Sequence, residues 1–99
     1  MQCTYTDGDT TVSITGKLTF ADRTLFREML TRLMEAKVKS TVVNLSRLEM
    51  IDSAGLGMLL IARDESTKLQ RSLVLSGPAG QVKRMFDLSK FETLFAIRP

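Results

Sequence analysis

Asp52 and Ser53 stand side by side in the segment Ile51-Asp52-Ser53-Ala54-Gly55-Leu56-Gly57, which leads into an apolar run, Met58-Leu59-Leu60-Ile61-Ala62. Each offers a side-chain oxygen to the free N–H groups of a helix start, so either can cap a helix that begins here. A hydroxyl at such a tip can also be reached by another protein's active site and could carry a phosphate. The phosphate would face the positive end of the helix dipole and its N–H groups, beside the Asp52 carboxylate. It would add a surface charge of roughly −2 and leave the fold intact. Gly55 and Gly57 cost a helix roughly 1 kcal/mol each relative to alanine, so two in one turn need a cause. One cause is close packing, with another backbone passing over a glycine. The other is approach by a partner protein, whose active site can enter a bare helix start. Asp52, Ser53, Ala54, Gly55, Leu56, Gly57 and Met58 form the candidate partner-binding segment.

The rest of the composition offers little competing chemistry. The 99 residues are enough for one domain with a modest core. With no histidine, the commonest general base and metal ligand is missing. The lone Cys3 permits no internal disulfide and, with no histidine, argues against structural zinc. On an early strand it reads as a small buried residue rather than a redox sensor. Asp52 could be imagined paired with Asp22 or Glu49, but nothing in the sequence joins them and no nucleophile–base set accompanies them. The chain is therefore read as a non-enzyme with no catalytic residue, metal or cofactor of its own.

The net charge of +3 is spread over scattered positions such as Lys37, Lys39, Arg63, Lys68, Arg71, Lys83 and Arg84. There is no tryptophan and one tyrosine, so the pattern is a solvated surface rather than a nucleic-acid interface. No apolar run approaches the length of a membrane span, which argues against membrane insertion. The start, Met1-Gln2-Cys3-Thr4, lacks the basic and apolar regions of a signal peptide, and a cytoplasmic protein is expected.

The elements that must position Ser53 follow from periodicity. Cys3–Thr6 and Thr11–Thr15 read as strands joined by a hairpin turn at Asp7-Gly8, with Gly16 closing the second. Thr19-Phe20-Ala21-Asp22 has capping-box spacing, with Asp in place of Glu or Gln. Leu25, Phe26, Met29, Leu30, Leu33 and Met34 then form a helical stripe that fades near Lys37–Lys39. Glu28 and Arg32 can pair on its outer face. Thr41–Leu45 reads as a strand buried on both faces. A second helix runs from the Asp52-Ser53 segment to about Gln70. Ser72–Ser76 is a strand, Gly77-Pro78 opens a short helix carrying Val82, Met85 and Phe86, and Leu94–Ile97 is the last strand. The order β-β-α-β-α-β-α-β predicts an α/β fold, a mixed sheet of four to five strands with helices packed against it.

The Asp52-Ser53 segment resembles the signature of STAS domains, in particular the bacterial anti-sigma-factor antagonists. The likeness continues through Val43-Asn44-Leu45 with Leu48, through Gly77-Pro78 and Val82-Lys83-Arg84-Met85-Phe86-Asp87-Leu88, and through Gly16 and Leu18 ahead of the first helix. It covers nearly the whole chain. The resemblance implies that Ser53 is phosphorylated by a GHKL-type serine kinase that doubles as an anti-sigma factor, and dephosphorylated by a PP2C-type phosphatase. The unmodified domain would bind the kinase and release its target; nucleotide and magnesium would belong to the kinase. The segment Gly16-Lys17-Leu18-Thr19 stands where many such antagonists carry acidic residues, and Ala54 where some carry a second hydroxyl. The rival within the fold is a STAS subunit that is not phosphorylated and docks permanently, beside a lipid-transport ATPase or in a stressosome-like scaffold.

Overall fold

The computed structural model describes residues 1–6 and 10–99, so the turn expected at Asp7-Gly8 lies outside the described residues. Six strands and three helices follow in the order β1 (Gln2–Thr6), β2 (Thr11–Leu18), α1 (Arg23–Glu35), β3 (Ser40–Asn44), β4 (Leu48–Ile51), α2 (Ser53–Lys68), β5 (Ser72–Ser76), α3 (Gly80–Leu88) and β6 (Ala96–Arg98). Short 3₁₀ turns occupy Phe20–Asp22 and Phe91–Thr93. The sheet runs β1-β2-β3-β5-β6, with β4 paired to β2. Among the described residues only the β1–β2 pair is antiparallel. The α/β class and mixed sheet expected from the sequence are present, with a sixth short strand added.

That sixth strand depends on Gly16. The sequence suggests that Gly16 ends β2, but the strand continues to Leu18. Gly16 has φ +83°, and the register shifts between Gly16 and Lys17. A bulge at a left-handed glycine bends a strand without breaking it. The first half of β2 pairs with β3, and the second half, past the bend, pairs with β4. Strand β4 escaped notice because Glu49 and Met50 are both exposed, which erases the two-residue alternation.

The core lies on one face of the sheet. Val12, Ile14, Val43, Leu73 and Leu75 point to it and join Phe26, Met29, Leu30 and Leu33 of α1, Leu56, Leu59 and Ala62 of α2, and Val82 and Phe86 of α3. Strand β3 is central, but only Thr41 and Val43 of it are buried; Val42 and Asn44 are half-buried. The reading of β3 as buried on both faces is thus corrected. Thr4, Ser13, Asn44 and Ser76 are register partners across four strands of the opposite face. Thr4, Ser13 and Asn44 line a polar groove there with Thr15, Ser46 and Arg47. Leu25 leaves the expected helical stripe and is 50% exposed. Helix α1 stops at Glu35, and the final strand starts at Ala96, two residues later than the apolar run suggests. The rings of Phe86, Phe91 and Phe95 stack at centroid distances of 4.8 and 5.1 Å and tie α3 to the approach of β6.

Thr41 is fully buried, and its Oγ1 has no hydrogen-bond partner among the described residues. A buried unpaired hydroxyl costs its desolvation, whereas a methyl of similar size does not. Thr41→Val is therefore expected to stabilise the domain by about 1 kcal/mol, read as a raised urea midpoint with an unchanged slope.

Candidate functional site

Helix α2 starts where it does because Asp52 caps it. The Asp52 backbone is extended, and its Oδ1 accepts from the Gly55 N–H at 2.8 Å. Its carbonyl accepts from the Leu56 N–H at 3.0 Å. The sequence left Asp52 and Ser53 as alternative caps; the carboxylate takes the role, and Ser53 is the first helical residue, with its side chain exposed.

Asp52 also fastens the helix start to the chain ahead of α1. Its Oδ2 accepts from the Phe20 N–H at 3.2 Å, and its own N–H donates to the Leu18 carbonyl at 3.3 Å. One residue earlier in the chain the pattern repeats: Asp22 Oδ2 accepts from the Thr19 N–H at 2.8 Å and from the Thr19 hydroxyl at 3.1 Å. The capping box read from the sequence is thus formed, at the head of the 3₁₀ turn that leads into α1. Burial pushes the Asp22 carboxyl up, but the Thr19 N–H, the Met1 nitrogen and the Thr19 hydroxyl outweigh it and hold the carboxyl below its ordinary value. The folded pKa is lowered, so this stabilisation is present above the unfolded pKa and is lost as pH falls through the folded one. Asp22 and Asp52 grip consecutive amides of one turn, a juxtaposition that the sequence alone could not supply. Both act as hydrogen-bond acceptors. Among the described residues no group of three His, Cys, Asp or Glu side chains could hold a metal ion.

The two glycines separate the two explanations offered for them. Gly55 is buried, and a Cβ there would fall on the Leu18 carbonyl oxygen and lie 2.6 Å from Ile51 Cγ1. Close packing accounts for it. At Gly57 a Cβ would meet nothing within 4 Å. That glycine leaves a bare stretch of helix at the surface, with the space that an approaching partner would need.

Not all of the candidate segment faces outward. Leu56 and Met58 are 9% and 8% exposed and belong to the core, as does Gly55's side of the helix. Helical periodicity turns these residues inward, so the outward-facing part of the candidate segment is smaller than the whole run. Ser53 is exposed, and Ala54 and Gly57 are partly so. Ile61, four residues past Gly57, continues that stripe at 47% exposed.

Beside the stripe lie residues that sequence reasoning did not single out. Phe20 is 60% exposed, and the Arg23 guanidinium sits 4.2 Å over its ring. Arg23, Phe26, Arg27, Leu30, Met58 and Ile61 line a groove of about 430 Å³ between α1 and α2. Arg27 Nη1 bonds both carboxylate oxygens of Glu65 at 3.1 Å across the two helices. In the sequence, Phe20 reads only as a filler of the capping box and Ile61 as one more apolar core position. Cys3 is half-buried, and burial raises its thiol pKa against the lowering effect of the nearby N-terminal charge, so it stays protonated at neutral pH. That fits a packing residue rather than a reactive one.

The sheet order, the one-sided helix layer and the capped helix start at the surface together define one class of small α/β domain. The family model described as the STAS domain matches residues 1–99, and the chain belongs to that family. It is 31% identical over 87 residues to a STAS-domain containing protein of Pseudomonas aeruginosa (strain UCBPP-PA14), covering 88% of this chain and 85% of that one. Two solved structures share the fold. One is assigned as an anti-sigma factor antagonist from Thermotoga maritima, with TM-score 0.80, 20% identity, and 99% of this chain and 85% of that chain covered. The other is the anti-sigma factor antagonist SpoIIAA in its unphosphorylated form, with TM-score 0.73, 19% identity and coverages of 99% and 86%. Among the described residues no helix is long and apolar enough to cross a membrane.

The glycine pair gives a direct test. Gly55→Ala drives a methyl into β2 backbone and is expected to cost about 1–3 kcal/mol. Gly57→Ala enters open space and should gain up to about 1 kcal/mol from helix propensity. Equilibrium urea unfolding of the two variants should move in opposite directions.

Proposed function

We propose that this domain is an anti-sigma-factor antagonist whose Ser53 hydroxyl is the phosphoacceptor of a binding switch. The unmodified domain binds an anti-sigma factor that is also a GHKL-type serine kinase, and thereby frees that protein's target. Phosphorylation of Ser53 ends the complex, and a PP2C-type phosphatase restores it. The observation that carries this reading is the exposed Ser53 side chain at the first position of α2, with capping already supplied by Asp52. Ser53 is therefore not needed to hold the helix together. The surface offered to the kinase is Ser53, Ala54 and Gly57, extended by Ile61 and by Phe20 with its Arg23.

The switch rests on electrostatics. A phosphate on Ser53 adds roughly two negative charges beside the Asp52 carboxylate. In the free domain the first-turn N–H groups and the helix dipole offset part of the repulsion. At an interface the same charge would be stripped of water without a partner prepared for it, which is costly. Binding is lost while the fold survives.

Ser53→Ala is expected to fold with stability within about 0.5 kcal/mol of wild type, since the cap is Asp52. It should bind the kinase and accept no phosphate. Phosphopeptide mapping of the chain purified from its native cells, with intact-mass measurement beside it, locates the modified residue; phosphate that persists in the alanine variant would show that another residue is the acceptor. Ser53→Asp should weaken the complex without unfolding the domain, checked by titration against the kinase and by circular dichroism. If folded, enzymatically phosphorylated protein binds as tightly as unmodified protein, permanent docking replaces the switch.

A further inference from the structure

Gln81, near the start of α3, makes two hydrogen bonds to one residue of β4. Its Oε1 accepts from the Ile51 N–H and its Nε2 donates to the Ile51 carbonyl, both at 2.9 Å and both partly shielded from solvent. A primary amide is the side-chain group that carries an acceptor and a donor side by side, so Gln81 pairs with Ile51 as a neighbouring strand would. It does so where β4 has β2 as its sheet partner. Ile51 is fully buried and immediately precedes Asp52 and Ser53. The backbone entering the phosphoacceptor is thus gripped from two sides, by Leu18 and Phe20 through Asp52 and by α3 through Gln81.

We propose that Gln81 is the positioning residue of the Ser53 site, a clasp through which α3 fixes the Ile51-Asp52-Ser53 backbone in the geometry that the kinase reads. The functional half of this proposal rests on Ser53 being the phosphoacceptor; the physical half does not. With the clasp made, the last residue of β4 is immobilised and Asp52 is held where its carboxylate spans Gly55 and Phe20. With the clasp broken, the buried N–H and C=O of Ile51 lose their side-chain partners, and local opening there becomes the cheapest route to relieve them. The helix start then samples other orientations, and Ser53 is presented for a smaller fraction of the time.

The test compares wild type, Gln81→Leu and Gln81→Glu as full chains. Gln81→Leu keeps the bulk and removes both bonds. Gln81→Glu can make both bonds only while its carboxyl is protonated; as a carboxylate it faces the Ile51 carbonyl and repels it. Nearby charged residues in sequence, Glu49, Asp52, Lys83 and Arg84, are the same in all three proteins, so differences report on position 81. Amide hydrogen exchange by NMR, expressed as protection over the intrinsic rate, should fall on the order of tenfold at Ile51 and Asp52 in Gln81→Leu. Val12 and Leu75 in the core should change far less. In Gln81→Glu, protection at Ile51 should be lost near neutral pH and recovered as pH falls towards the carboxyl's pKa, ordinarily about 4.3 and raised by the facing carbonyl. In native cells, the phosphorylated fraction at Ser53 should drop in Gln81→Leu at equal protein level.

Equal loss of protection at Ile51, Val12 and Leu75, or no loss at all, overturns the clasp. A local loss of protection with an unchanged phosphorylated fraction overturns the positioning role and leaves Ser53 as acceptor. A wild-type chain carrying phosphate only elsewhere overturns the reading of Ser53, while the exchange data still decide the clasp.

Discussion

The passage of β2 over the first turn of α2 is the constraint on which the site depends. The Leu18 carbonyl lies where a side chain at position 55 would be, so only glycine lets strand and helix meet this closely. From that approach the rest follows. Asp52 can donate to Leu18, accept from Phe20 and cap Gly55 at once because the three groups have been brought together. The bend at Gly16 is what carries Leu18 there, by turning β2 away from β3 and towards β4. A residue with no side chain thus sets the spacing, and one carboxylate converts that spacing into a fixed helix start.

The division of labour at the helix tip matters for a switch. Were Ser53 the cap, modifying it would remove a contact that the helix needs, and binding and stability would change together. With Asp52 in that role, Ser53 can be altered at small cost to the fold. The single-faced core serves the same end: α2 buries Leu56, Leu59 and Ala62 against the sheet and leaves its Ser53–Gly57–Ile61 side outside the packing. One face of the helix packs on the sheet, and the other stays at the surface.

Much of this was legible in the sequence, for identifiable reasons. The capping box at Thr19-Asp22 and the Asp-Ser helix start are local, and local hydrogen bonding obeyed local rules. The stripe of α1 was right at Phe26, Met29, Leu30 and Leu33. It failed at Leu25, which is half exposed. Strand β4 was invisible because a four-residue strand with exposed Glu49 and Met50 has no alternation to detect. The burial of β3 was overstated because a Thr-Val-Val run reads alike whether helices cover one face or two. The Gln81 contact and the gathering of Asp22 with Asp52 depend on separations of 30 residues each along the chain (51 to 81 and 22 to 52), beyond the reach of any periodicity. The differing fates of Gly55 and Gly57 likewise required knowing what passes above them.

The chain has no tryptophan, and its single tyrosine, Tyr5, lies on β1 with the Arg32 guanidinium 3.7 Å from its ring centroid. Ultraviolet-excited emission from this protein therefore comes from one corner, where the first strand meets α1. The Phe86, Phe91 and Phe95 stack absorbs weakly and emits little, as does Phe20 beside the Ser53 face. Intrinsic fluorescence will follow the fraying of the outer strand and stay dark to events at the helix start. Optical work on partner binding needs a reporter placed at the rim of that face.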